Sequence, residues 1–333
     1  MRRMYEIPRT LISSEVLELE VPGCAARAFH SKAADISMSG TTRGTIDDEI
    51  GKEKKMRFAL STSPQRCTWD WLLEVWKRAD EIELYESAWT FDHFYPIFGD
   101  STEDCLEGWI SLTALLQETR RIRGGVLVTG MVYRHPALLA NMAATLDIIS
   151  GGRLELGIGA GWNEEECAAY GIELGTMTER FDRFEEGLDV LKLLLTQDRS
   201  DYSGNWFTLK NAMNNPKGPQ NPLPICVGGA GLRRTLPAVA KHAHHWNYGS
   251  PLMTPEDFKM RHKVFLEACA QVGRNPDDIM ISTIVRYEGD LQAMVRDAKG
   301  FADAGIDMGI VSIPKTEPPG VVEDIAEALL TVG

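Results

Sequence analysis

Leu154-Glu155-Leu156-Gly157-Ile158-Gly159-Ala160-Gly161-Trp162-Asn163-Glu164 reads as a strand that runs into glycines and then into a helix. Short apolar strand, glycine turn, then acids suited to the positive end of a helix: that succession is one βα unit. It recurs along the chain. Candidate strands lie at 56–62, 87–92, 124–130 and 153–159, then at 224–229, 243–248, 279–285 and 307–313, each followed by a helical stretch. Eight such units predict an α/β fold of the (β/α)8 type, a TIM barrel, with its active site on the rim where the strands end.

The connections support this. Between the third and fourth strands Pro136 stands at a helix start, Leu139, Met142, Leu146 and Ile149 recur at helical spacing, and Gly151-Gly152 end the turn. Between the fourth and fifth strands, residues 162–223 form a long insertion, predicted to hold an amphipathic helix (Phe181, Phe184, Leu188, Leu191, Leu195) and a hairpin around Tyr202-Ser203-Gly204-Asn205-Trp206-Phe207. Insertions on that side of a barrel shape substrate pockets. Residues 1–55 show no sustained period and carry equal numbers of acids and bases, so the formal charge of -13 belongs to residues 56–333. The first 55 residues are read as a disordered tail or an initiation site placed too early, and 56–333 as the barrel domain.

Bulk properties narrow the function. A charge of -13 and a pI near 5.1 argue against nucleic-acid binding, which needs a basic surface to displace counterions. Cys24, Cys67, Cys105, Cys167, Cys226 and Cys269 are scattered, without metal-knuckle spacing or a secretory leader ahead of them, as expected of a reduced cytoplasmic chain. No window approaches the ~18 unbroken apolar residues of a membrane helix. Small-molecule partners are expected.

Several rim positions carry chemistry. Asp92-His93 follows the second strand; there the imidazole can donate to a bound ring and the carboxylate can fix a polar edge, or Asp92 caps the loop and His93 packs beneath it. Gly157-Ile158-Gly159-Ala160-Gly161 superficially satisfies a dinucleotide fingerprint, but it follows the fourth strand rather than the first and leads into helices, which makes that reading weak. It reads as a turn where backbone passes close to a flat cofactor, or simply as a tight turn. Cys226-Val227-Gly228-Gly229-Ala230-Gly231-Leu232-Arg233-Arg234 reads as a phosphate cradle at a helix start. His242, His244 and His245 invite a metal, but the first strand offers no His-x-His, so no metal site is assigned. No Ser elbow or Cys-His pair stands out.

Taken together, Arg134-His135-Pro136-Ala137-Leu138-Leu139-Ala140-Asn141, Thr145-Leu146-Asp147-Ile148-Ile149-Ser150-Gly151-Gly152-Arg153, Gly157 to Trp162, Gly228-Gly229-Ala230-Gly231 and Trp246-Asn247 resemble bacterial luciferase-like monooxygenases. More narrowly they resemble oxidoreductases that use the deazaflavin coenzyme F420. The resemblance covers residues 56 to about 313. It implies a ring lying against a bulged third strand at Leu127-Val128-Thr129-Gly130, where relatives carry a non-proline cis peptide. It also implies Asp92 at the cofactor's polar edge, His93 as the catalytic donor or acid, Gly161 and Trp162 walling the pocket, and a phosphate at Gly228, Gly229 and Gly231. The coenzyme's anionic tail would pass Arg233 and Arg234, and the protein would be a homodimer. Departures at Ile97 and Trp162 argue against the sugar-phosphate branch, and Ala243-His244-His245-Trp246-Asn247 departs from the family's Ala-Asp-Gly-Trp-Asn. The expectation is hydride transfer between F420 and a small organic substrate. An FMN-dependent monooxygenase and a non-catalytic flavin-binding barrel stay open as alternatives.

Overall fold

The computed structural model describes residues 55–249 and 254–332. The expectation for residues 1–55 therefore falls outside it, save for Lys55. From the first strand onward the chain alternates strand and helix: β1 (Arg57–Ser61), α1 (Trp69–Glu81), β2 (Tyr85–Thr90), α2 (Gly108–Glu118), β3 (Arg123–Val126), β4 (Thr129–Gly130), α3 (Pro136–Ile149), β5 (Leu154–Gly159), α4 (Glu164–Ala169), α5 (Met177–Thr196), β6 (Ser200–Ser203), β7 (Thr208–Ala212), β8 (Ile225–Gly228), α6 (Thr235–His242), β9 (His245–Asn247), α7 (Pro255–Val272), β10 (Met280–Arg286), α8 (Leu291–Asp303), β11 (Met308–Ser312) and α9 (Val321–Leu329). The parallel order β3-β2-β1-β11-β10-β9-β8-β5 closes on itself through β3–β5 pairing. Counting β3 and β4 as one interrupted strand, this is the eight-stranded (β/α)8 barrel that the sequence predicts.

Period-two alternation sorts the strands into two cores. Phe58, Leu60, Ala88, Val227 and Val311 face outward and pack with the helices. Their neighbours Ala59, Trp89, Cys226, Met308 and Ile310 face inward and fill the barrel. Trp89, fully buried, is the bulkiest of these. It has room because position 125 is glycine: a Cβ there would lie 2.6 Å from the indole.

The helices begin where the sequence places stops and starts. Pro136 occupies the first turn of α3, and the His135 side chain accepts from the Ala137 N–H at 3.1 Å. Thr176 and Glu179 cap α5 reciprocally. The 162–223 segment differs from the expectation in one respect: α5 is not extra, but the barrel's own fourth helix, because its buried stripe Phe184, Leu188, Leu191 and Leu195 packs into the outer core. What is added is α4 and the antiparallel β6–β7 hairpin.

The third barrel strand is interrupted. Gly125 pairs with Glu155 and Thr129 with Ile158, so four steps on this strand match three on β5 and one residue is extra. The peptide bond within the bulge, Leu127-Val128, is cis.

Candidate active site

His93 leaves the end of β2 and turns toward α4. Its Nδ1 lies 2.8 Å from Glu166 Oε2. Glu166 is fully buried, and it also accepts from the Phe94 N–H at 2.7 Å and from the Tyr133 hydroxyl at 2.7 Å. Burial alone would push this carboxyl up; the hydrogen bonds from His93, Phe94 and Tyr133 outweigh it and hold Glu166 below the usual carboxylate range. An ionised acceptor fixes the proton of neutral His93 on Nδ1. Nε2 makes no hydrogen bond among the described residues. Three rings limit the imidazole: Phe91 at 5.1 Å, Trp162 at 5.7 Å and Tyr133 at 6.4 Å between centroids. Trp162 itself is 58% exposed and stands edge-on to His93 at the rim.

Glu166 was legible only as one of three acids opening a helix. Asn163-x-x-Glu166 even has capping-box spacing, and Asn163 Oδ1 does accept from the Glu166 N–H at 3.1 Å. In a capping box the glutamate would bond back to the cap. Here it turns inward to His93, while Glu164 and Glu165 stay exposed.

Asp92 is placed differently from the expectation that it meets a ligand's polar edge. It is buried, and both its oxygens are engaged by the Arg134 guanidinium, with Nη2 to Oδ1 at 3.0 Å. Arg134 also reaches Glu107 at 3.0 Å, and Glu107 caps α2 by accepting from Ile110. This cluster ties the β2 loop to the β4 loop.

Along the bulge, the residues do not all face the mouth. Thr129 is fully buried, and its Oγ1 accepts from Trp109 Nε1 on α2 at 2.8 Å, so its side chain points away from the mouth. Gly130 is buried beside the Tyr133 ring, 2.9 Å from where a Cβ would stand. The half-buried side chain of Val128 is the one turned across the barrel end, toward Gly159 and Gly228. A Cβ would lie 2.6 Å from it at Gly159 and 2.8 Å at Gly228, which explains those two glycines by packing. Gly228, read from the sequence as part of a phosphate cradle, thus has a packing reason to be glycine as well.

The turn after β8 is also partly committed. Gly229 has φ +120°, its N–H donates to Asn247 O at 3.1 Å, and its carbonyl accepts from Trp246 Nε1 at 2.8 Å. Arg234 is not free for an anion: it pairs with Asp182 at 2.7 Å and Glu185 at 2.5 Å on α5. Gly231 and Arg233 are exposed, and Arg233 has no ion-pair partner among the described residues. Sequence patterning missed Arg180, hidden in the amphipathic stripe of α5. Only 6% exposed, it donates from Nη1 to Gly161 O at 3.1 Å; its Nε is buried without a partner, and no carboxylate of the described residues pairs with it. Gly161, at φ +87°, brings its carbonyl there at a turn where a Cβ would meet Val132 at 2.9 Å.

Among the described residues no group of His, Cys, Asp and Glu is arranged to hold a metal ion. No described helix is long and apolar enough to cross a membrane.

Comparison with known proteins fits this architecture. A family model for luciferase-like monooxygenases matches residues 56–312. An F420-dependent glucose-6-phosphate dehydrogenase of Amycolatopsis mediterranei is 32% identical over 174 residues, 52% of this chain and 50% of that protein. The pyrimidine monooxygenase RutA of Cronobacter sakazakii is 29% identical over 206 residues, 60% of each. The chain thus spans between half and three fifths of the length of these curated relatives. A solved F420-dependent secondary alcohol dehydrogenase, in complex with an F420-acetone adduct, superimposes with a TM-score of 0.75 at 19% identity, over 84% of this chain and 99% of that one. The chain belongs to the luciferase-like monooxygenase family.

Proposed function

From that membership, we propose that the protein is an oxidoreductase using coenzyme F420 to transfer a hydride to or from a small organic substrate, with His93 as its proton donor or acceptor. The observation that carries this reading is the buried contact between His93 Nδ1 and Glu166. When bound, the deazaflavin would supply hydride chemistry, which no protein side chain offers. The remaining tasks fall to the chain.

A carbonyl that receives a hydride needs a proton on its oxygen, and an alcohol that gives one up must lose a proton. His93 Nε2 is placed for that exchange, because Nδ1 is fixed by Glu166 and the ring is held by Phe91 and Trp162. Glu166, held below the usual carboxylate range by its hydrogen bonds to His93, Phe94 and Tyr133, fixes the orientation of that ring. Asp92, engaged by Arg134, positions the loop carrying His93 and does not touch the ligand.

The residues present fit an anionic flavin-like group, and Arg180 supports this most directly: a buried guanidinium with an orphaned Nε calls for an acceptor that the described protein does not provide. Arg180, Gly231 and Arg233 would hold the phosphate and its tail, with Val128 and Trp162 bounding the ring. This replaces Arg234 and Gly228 in the anchoring role. Gly229 contributes turn geometry.

Titration of the purified protein with F420 and, separately, with FMN tests the reading. F420 is expected to bind at micromolar concentration, about -8 kcal/mol, with FMN much weaker. Tight FMN binding without F420 binding would replace it with the FMN monooxygenase alternative.

A further inference from the structure

The loop that follows β11 carries a cation with no acceptor of its own. Lys315 lies three residues beyond the last barrel strand, and its Nζ is buried with no hydrogen-bond partner among the described residues. Burial lowers its pKa to about 8, and the Cys67 thiol is the ionisable neighbour that opposes the shift. Beneath the ammonium, 4.5 Å from Nζ, lies the ring of Trp71. Trp71 is itself fixed, donating from Nε1 to Glu317 O at 2.9 Å.

Cys67 and Trp71 flank Thr68, the N-cap of the 13-residue helix α1. The ammonium therefore sits near the first turn of a helix, where the partial charge is positive and the Trp69 and Asp70 N–H groups have no intrahelical acceptor, the Trp71 N–H being capped by Thr68 Oγ1 at 3.2 Å. Asp70 stands in that first turn, but the ammonium itself pairs with no carboxylate of the described residues, although the chain's overall charge is -13. Such an arrangement is unfavourable for the empty protein and favourable for an anion that enters. Loops after the last strands of (β/α)8 barrels commonly serve anionic ligands.

We propose that Lys315, Trp71 and the first turn of α1 bind the carboxylate or phosphate group of an anionic substrate. Placement separates this site from the one assigned to the cofactor. Going round the barrel, β10 and β9 stand between β11 and β8, whose following turn carries Arg233. On the other side the site is joined to His93. Gln65 bridges to Cys105, the Arg66 N–H donates to Asp104 O at 2.7 Å and the Leu106 N–H to Pro64 O at 2.9 Å, while the Cys105 thiol donates to His93 O at 3.6 Å. An anion held at Lys315 is thus anchored on the wall that ends at His93. The assignment rests on the oxidoreductase reading only in calling the anion a substrate's.

The full chain, without cofactor, is titrated with sodium acetate and with inorganic phosphate at constant ionic strength made up with chloride. Tryptophan fluorescence and melting temperature are followed in the wild type, Lys315→Met and Trp71→Phe. One probe is expected to saturate in the millimolar range, and its preference over the other identifies the carboxylate or the phosphate as the natural group. Trp71→Phe loses most of the fluorescence response. Lys315→Met weakens binding at least tenfold, yet melts higher than the wild type in the absence of anion, because it removes an uncompensated charge and keeps the apolar stem. The proposal is overturned if neither probe saturates, if Lys315→Met binds as well as the wild type, or if it melts lower, which marks a structural lysine. Because no cofactor is present, these outcomes are independent of whether F420 binds.

Discussion

Where the barrel strands begin, Arg57 meets Glu86, and Arg123 meets Glu155 at 2.9 Å; Glu155 also faces His245, whose Nε2 contacts Ser282 Oγ at 2.6 Å. Where the strands end, Arg134 pairs with buried Asp92, but Arg180, Arg233 and Lys315 meet no carboxylate among the described residues, and buried Glu166 is given to a histidine. Both ends use the same kinds of residue on the same strands. At the first end charge is neutralised within the fold. At the second, three cations stay unpaired beside the paired ones, the arrangement expected of the rim on which (β/α)8 barrels bind ligands.

Substitutions at the two ends should separate accordingly. The largest effect is expected from His93→Ala: a fall of about 10²–10⁴-fold in kcat, with little change in cofactor affinity or melting temperature, by steady-state kinetics with F420. Glu166→Gln should fall between this variant and the wild type. An unchanged rate in His93→Ala would break the contrast. Next, Glu155→Ala removes the carboxylate between Arg123 and His245, while Arg123 keeps its bonds to Gly152 O, Leu154 O and Gln220, and should cost about 1–3 kcal/mol in urea unfolding, with kcat of the folded protein intact. Loss of kcat there would show that the two ends are coupled. Last, and a sharpening of the picture of the mouth, is Gly159→Ala: a Cβ 2.6 Å from Val128 should destabilise by about 1–3 kcal/mol, and adding Val128→Ala should restore most of it in a double-mutant cycle.

The difference between the ends also marks what could be read from residues alone. Strands such as 153–159 and 279–285 announce themselves through apolar alternation between glycine stops, and β5 and β10 occupy Leu154–Gly159 and Met280–Arg286. His93 was legible because a strand end fixes where a following residue sits. The ion pair of Asp92 was not legible because its partner, Arg134, is 42 residues away on another loop, a pairing no local pattern encodes. The orientation of Thr129 was not legible because a single extra residue in the third strand decides which side chains face the mouth, and a bulge of one residue leaves the alternation almost intact. Glu166 and Arg180 escaped for the same reason as each other. Each lies in a helix whose spacing explains it as a cap or a surface charge, and only tertiary packing turns it inward.

Trp89 has a consequence of its own. Seated against Gly125 and grouped with Ala59, Cys226, Met308 and Ile310, it fills one side of the barrel interior with apolar matter, while the edge of its indole meets His245, which joins Ser282 and Asn247 in a hydrogen-bonded row on the other side. A row of polar side chains beside an apolar wall gives the barrel two unlike interior faces: on one, a substitution changes only volume; on the other, it also strips a neighbour of its hydrogen-bond partner.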